Sequence, residues 1–370
     1  MTVRVTGKVV TPAGVIRQGC VEINGERITA VAEYPSVRDG YWILPGFVDM
    51  HTHGGGGHTF TTGDADQARA AAGFHLRHGT TTLLASLVSS PFELMRAATT
   101  AYRPLVAEGV LAGIHFEGPY LAAARCGAQN PAYLRDPSTD ELTELLGLGH
   151  GTIRMVTLAP ERDGATAAVK LLAAHGVVSA IGHTDATYEQ THAAIAAGAS
   201  VATHLFNGMR PVHHREPGPV VALLEAPSVV CELVADGVHL HDGMLGYVTT
   251  TAGVDRAALI TDAMAAAGMP DGEYELGGQT VTVTTGVARL ANDGAIAGST
   301  LTMDAALRHA VATGIAVAEA ARMVSTTPAR AIGLGDRVGA LAPGLQADLV
   351  VLDDDLNVVR VMRAGSWLDQ

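Results

Sequence analysis

Two histidines one residue apart, His51 and His53, stand in the stretch "ILPGFVDMHTHGGGGHTF", where an apolar run gives way to four glycines. In an extended strand, residues two apart share a face. Both imidazoles therefore aim at one point beside a glycine-rich turn. That geometry suits a metal ion or a reacting group. It also suits two half-buried histidines bonded to loop carbonyls, and these eighteen residues alone leave both readings open.

The same residue types recur at the ends of other apolar, β-type runs. "HFEGPY" gives His115 and Glu117, "IGHTDAT" gives His183, and "THLFNGM" gives His204 and Asn207. "ADGVHLH" gives Asp236 and His239, and "ITDAM" gives Asp262. Imidazoles with carboxylate and no thiolate suit Zn²⁺ or Fe²⁺ better than Mg²⁺ or Ca²⁺. A divalent metal with one open position lowers the pKa of bound water to about 7. Such chemistry also needs a carboxylate that is not consumed as a ligand, to move the proton. Asp262, at the last of these run ends, is the candidate.

The elements that must gather these residues alternate. Eight β-type runs between Tyr41 and Met264, beginning with "YWILPGFVDM" and ending with "ALITDAM", are mostly separated by Ala-rich stretches of helical spacing. Strand-then-helix repetition implies parallel strands with helical crossovers. Eight strands close a (β/α)8 barrel, whose active sites sit at the C-terminal strand ends. Six such ends carry His, Glu, Asp or Asn here. Packing explains that coincidence poorly, because each unpaired buried polar group costs about 1–3 kcal/mol. A doubly wound open sheet is the alternative, but no GxGxxG follows the first strand. Both chain ends read as short alternating strands with turn signals. The expected fold is therefore α/β: a TIM-like (β/α)8 barrel over residues 43–334, with a β insertion at about 272–298. A small β-sandwich domain would form from residues 1–42 and 335–370.

Bulk properties narrow the function. The 370-residue chain has net charge −13 and no basic cluster, and 4% of its residues are aromatic, which excludes a nucleic-acid partner. No apolar run reaches the roughly 18 residues of a membrane span. "MTVRVTGKVV" lacks the features of a signal peptide, giving the expectation of a cytoplasmic protein. Cys20, Cys126 and Cys231 are odd in number and far apart, which argues against a disulfide framework.

On these residues the chain resembles a known family. "PGFVDMHTHG" and the C-terminal "GALAPGLQADLVVLD" resemble the amidohydrolase superfamily. "HFEGPYL", "IGHTDAT", "THLFNGM", "REPG", "ADGVHL", "ITDAM" and "AGSTLTM" resemble, in order, the N-acetylglucosamine-6-phosphate deacetylase family. The resemblance implies a metal-dependent hydrolase that releases acetate from an N-acetylated, phosphorylated amino sugar, in amino-sugar catabolism and cell-wall recycling. Glu117, His183 and His204 would hold the main metal, Zn²⁺ first and Fe²⁺ as the alternative, and Asp262 would be general base and acid. Some members carry glutamine and asparagine at the positions of His51 and His53 and bind one metal. Both imidazoles are kept here, so one or two ions per subunit fit.

The resemblance extends to the substrate. Arg215 offers a forked donor for phosphate, and Asn207 and the Gly208 backbone stand at the sixth strand end. Ile296, Ala297, Gly298 and Ser299 match the family's substrate-contact turn. A homodimer is implied, with His239 a candidate to reach into the neighbouring subunit's site. The loop "RCGAQNP" contributes Ala128, Gln129 and the neighbouring Cys126 over the site. Gln129 stands where the family usually has a histidine, which puts sugar affinity or selectivity in question. Another amidase or deacylase of the superfamily is the competing expectation, although "VTLAPERDG" offers no bridging lysine for a cyclic amidase.

Overall fold

A computed structural model describes residues 2–35 and 40–369. Eight strands run parallel and neighbour one another in chain order: Phe47–Thr52, Thr80–Leu87, Gly113–Glu117, Ile153–Leu158, Val178–Ile181, Val201–Ala202, Val230–Val234 and Ala257–Ile260. They are almost wholly buried. This is why they read as continuous apolar runs without alternation: helices cover one face and packed side chains the other. Helices follow each of the first seven strands, from Ala65–Arg77 to Asp242–Ala252, and Met303–Ala312 packs beyond the eighth. Local signals start them: the Asp64 carboxylate accepts from the amides of Asp66 and Gln67, and Thr187 and Gln190 form a reciprocal capping box.

The eighth strand closes onto the first at the C-terminal rim. The Asp262 amide donates to the His51 carbonyl at 2.9 Å and the His53 amide to the Ala263 carbonyl at 2.7 Å. Below them the buried Asp49 carboxylate accepts from Thr261 Oγ1 at 2.6 Å. Burial, the largest influence, pushes the Asp49 pKa up to about 7 despite these bonds. The two strands that carry the His-x-His pair and Asp262 are thus locked side by side.

A second, seven-stranded sheet draws on both chain ends. Its order is Ser366–Trp367, Val358–Arg363, Leu349–Leu352, Trp42–Pro45, Thr2–Thr11, Gly14–Asn24 and Arg27–Glu33. One boundary differs from expectation. The run from Tyr41 is not a single barrel strand: Trp42–Pro45 pairs antiparallel with Leu349–Leu352 in the terminal sheet. The chain enters the barrel only after Gly46, so the change of sheet falls there rather than at 42/43. Both halves of the run are apolar because both are buried, and periodicity does not distinguish which sheet each one joins. The insertion after the eighth strand is a three-stranded antiparallel sheet, Gly272–Leu276, Gln279–Thr284 and Val287–Leu290. Its apolar face packs on Val88 and Met264.

Candidate metal centre

At the C-terminal rim two groups of ligand atoms lie face to face: His51, His53 and Asp262, and Glu117, His183 and His204. Within each group the atoms lie within 4.8 Å of one another, and all six residues are buried. Glu117 joins the groups. Its Oε1 lies 2.9 Å from both His183 Nε2 and His204 Nε2, and its Oε2 lies 3.2 Å from His53 Nε2. Asp262 Oδ1 is 3.2 Å from His53 Nε2 and 3.5 Å from His51 Nε2. Asp262, read from the sequence as the carboxylate left free of ligand duty, therefore also stands within the second ligand group.

The backbone bends sharply to make this cluster. His183, His204 and Asp262 have left-handed φ values of 47°, 26° and 50°. For residues with a Cβ, such conformations cost about 1–3 kcal/mol each and concentrate at functional sites. They also explain why the sixth strand stops at Ala202 although the apolar run continues.

Three of the four rings are aimed by their other nitrogen, whereas His204 Nδ1 is buried without a partner. His53 Nδ1 donates to the Ser86 carbonyl at 3.1 Å and His183 Nδ1 to the Arg125 carbonyl at 2.9 Å. His51 Nδ1 lies 3.0 Å from Glu232 Oε2, which also accepts from the His204 amide at 3.1 Å. With Nδ1 protonated, each neutral ring presents a lone pair on Nε2. His51 and His53 would then oppose lone pairs at 3.2 Å, with carboxylates beside them. Such a set needs positive charge, from protons or from cations. Burial, the strongest influence on His51, His53 and His183, disfavours their charged forms. The carboxylates of Glu117, Asp262 and, at His51, Glu232 outweigh it and raise all three, His53 to about 9. Burial would likewise raise Glu117 and Asp262, but the imidazoles, His51 foremost, hold both below the usual carboxylate range. Three imidazoles poised this way, with carboxylates and no thiolate, fit divalent metal ions.

His115, also at a strand end, lies beneath the cluster. It bridges Ser86 Oγ and Thr157 Oγ1, each at 2.9 Å, and its ring meets that of His51 edge-on. Burial drives its pKa well below normal, so it is a neutral floor.

A cavity of about 230 Å³ opens above the ligands. Of the residues expected from the sequence, His53, Glu117, His183, His204 and Asp262 line it, as do Ala128, Gln129, Asn207, Gly208, His239, Ile296 and Gly298. Gly208 has φ +61°, and a Cβ there would stand 2.8 Å from His183 Nδ1, so only glycine brings the main chain this close. His51 lies behind the others, fully buried.

Within the single chain, four more of the expected residues are placed as follows. Ala297 is turned into the core of the three-stranded insertion. Ser299 faces away from the cavity: its Oγ donates to the Thr261 carbonyl and its amide to the Asp262 carbonyl at 2.7 Å, bracing the turn that presents Asp262. His239 lines this chain's own cavity, anchored by Nδ1 on Asp236 Oδ2 at 2.7 Å, rather than reaching away from it. Arg215 is outside the cavity, on an exposed loop, with Nη1 against His214 Nε2. Among the described residues, no Lys or Arg lines the cavity.

Gln129 is committed to the protein. Its Oε1 accepts from the Ser89 amide and its Nε2 donates to Glu117 Oε2, each at 2.6 Å. Cys126 is half-buried on the same loop, and burial raises its pKa. Glu232 escaped the sequence reading. The available signal was a lone acid inside the apolar run "VVCELVA", where an unpaired carboxylate would be costly.

Residues 42–368 match the amidohydrolase family. A mutant of N-acetyl-D-glucosamine-6-phosphate deacetylase from Mycobacterium smegmatis, solved with N-acetyl-D-glucosamine-6-phosphate, is 47% identical. The match covers 99% of each chain with TM-score 0.95. N-acetylglucosamine-6-phosphate deacetylase of Lysinibacillus sphaericus is 38% identical over 331 residues, 88% of this chain and 85% of that protein. N-acetylgalactosamine-6-phosphate deacetylase of Escherichia coli O157:H7 is 39% identical over 333 residues, 89% and 88% of the two chains.

Proposed function

The chain belongs to the amidohydrolase family, and from that membership we propose that it deacetylates N-acetyl-D-glucosamine 6-phosphate, yielding D-glucosamine 6-phosphate and acetate. The observation that carries this reading is the pair of histidine–carboxylate groups sharing Glu117 at the floor of one cavity. Glu117, His183 and His204 would hold one divalent ion, and His51, His53 and Asp262 a second, with Zn²⁺ or Fe²⁺ the ions these donors favour. When bound, such ions supply Lewis-acid polarisation of the acetyl carbonyl and of the attacking water.

The remaining steps belong to the chain. The Asp262 carboxylate takes a proton from water as its oxygen bonds to the acetyl carbon. It then delivers that proton to the amine nitrogen as the C–N bond breaks; the water's second proton stays on the acid formed and is lost as that acid ionises to acetate, leaving the free amine. Gln129 and Ser89 hold Glu117 fixed while charge builds on the carbonyl oxygen. His239 supports the sugar phosphate: burial opposes its charge, but the hydrogen bond and charge of Asp236 prevail and raise its pKa. The Gly208 backbone lets an anion approach closely.

Because no described Lys or Arg lines the cavity, we assign the remaining phosphate contact to Arg215 of a second copy in a homodimer. Val212, 53% exposed on the same loop, supports an interface there. Elemental analysis beside acetate release from N-acetylglucosamine 6-phosphate, its C4 epimer and the unphosphorylated sugar tests the reading. Preference for the unphosphorylated sugar would refute it. Mixing Arg215→Ala and Asp262→Asn proteins should restore activity if the arginine acts across subunits; two inactive proteins that stay inactive together refute that contact.

A further inference from the structure

A second cavity, of about 130 Å³, lies at the opposite end of the barrel, between the beginnings of its strands and the terminal sheet. Thr82 in the second barrel strand, Arg154 in the fourth, Arg337 beyond the last helix, and Gln346 and Arg363 around the terminal sheet contribute to its wall. The three arginines come from segments remote in sequence, and among the described residues no Asp or Glu lines the cavity. Among the described residues, no ion pair engages Arg154, Arg337 or Arg363. Arg125, Arg135, Arg162, Arg210 and Arg308 each hold a carboxylate. Three guanidinium groups around one hollow whose described wall holds no carboxylate make it locally cationic in an acidic chain.

Local packing holds two of them in place. Gly113 makes room for the Arg154 stem, since a Cβ there would lie 2.3 Å from Arg154 Cγ. The Arg154 Nε is buried without a hydrogen-bond partner. Arg363 donates through Nη2 to the carbonyls of Gly109 and Val110, and burial lowers its pKa against the favourable charge of Asp348. Asp348 is occupied elsewhere, accepting from the Ala364 amide at 2.7 Å and from Gln346 Nε2 at 3.1 Å. Arg154 is partly buried with no ion pair, which is costly for a cation, and guanidinium forks match oxyanions. The volume is a little over half that of the catalytic cavity, about 130 against 230 Å³, which suits a small ion rather than a sugar phosphate.

We propose that this cavity binds a small tetrahedral oxyanion of the phosphate class, which ties the barrel to the terminal sheet. Inorganic phosphate is the probe, and thermal unfolding at matched ionic strength, with chloride as the control, is the readout. Phosphate well above its dissociation constant should raise the melting temperature of the wild type by about 2 °C more than that of R154Q/R337Q. R154Q/R337Q should keep wild-type deacetylase turnover. His239→Asn, altered in the catalytic cavity, should keep the phosphate increment. Arg337 is exposed, so R337Q alone provides a folded variant in which the increment is reduced if the double variant is unstable. Equal increments in wild type and arginine variants, or an increment abolished by His239→Asn alone, overturn the assignment.

Discussion

Glu232 Oε2 lies 3.0 Å from His51 Nδ1, and both side chains are fully buried. The same oxygen accepts the His204 amide, so one carboxylate holds a residue of each ligand group. Replacing Glu232 with alanine removes the acceptor that fixes the His51 ring and leaves two buried donors unpaired. Losing such an outer partner typically lowers metal affinity about 10–100-fold. Elemental analysis of Glu232→Ala after dialysis against a weak chelator should show fewer ions per chain than wild type, with His51's group emptied first. Wild-type metal content would remove Glu232 from this role.

Asp262→Asn should lower turnover by roughly 10²–10⁴, the range for loss of a general acid–base group. The ion at Glu117, His183 and His204 should remain, because none of those ligands is changed. Paired measurements of acetate release and metal content check this, and near-normal turnover counts against the proton-transfer role.

Glu117→Ala should act on metal first. Its two oxygens face both groups, so its loss should deplete the protein of ions and abolish turnover. A purified Glu117→Ala protein with full metal content contradicts its assignment as a shared ligand.

Gln129→Leu keeps a similar volume but removes both 2.6 Å bonds, to Glu117 and to the Ser89 amide. The expected effect is on kcat and metal retention more than on KM. A pure KM effect would instead make Gln129 a sugar contact. Gln129→His tests the same point with a ring that can also bond to Glu117.

Asp304, which belongs to neither ligand group, contributes acid-linked stability. Burial works against its charge, but His78, Thr302 and Arg308 outweigh it and lower its pKa to about 2. A depressed carboxylate stabilises the fold above its unfolded pKa, near 4, and the contribution is lost as pH falls through about 2. Asp304→Asn should therefore cost about 2 kcal/mol at neutral pH. Denaturant unfolding should show the gap to wild type narrowing between pH 4 and 2, and a gap independent of pH over that window would contradict the linkage.

The alternation of buried apolar runs with Ala-rich helical spacing determined the barrel, because strands covered on both faces must be apolar throughout. The run-end residues His51, His53, Glu117, His183, His204 and Asp262 were legible for a related reason. A polar residue closing such a run is placed at the barrel mouth by the period of the strand alone. Tertiary structure decided what local pattern cannot encode. It set where the chain leaves one sheet for the other at Gly46, and it turned Ser299 to brace the turn that presents Asp262. It also kept Arg215 out of the cavity and brought Glu232 under His51 from 181 residues away. Those outcomes depend on which side chains meet across distant segments, and a hydrogen-bond partner is chosen by proximity in space, which no local spacing records.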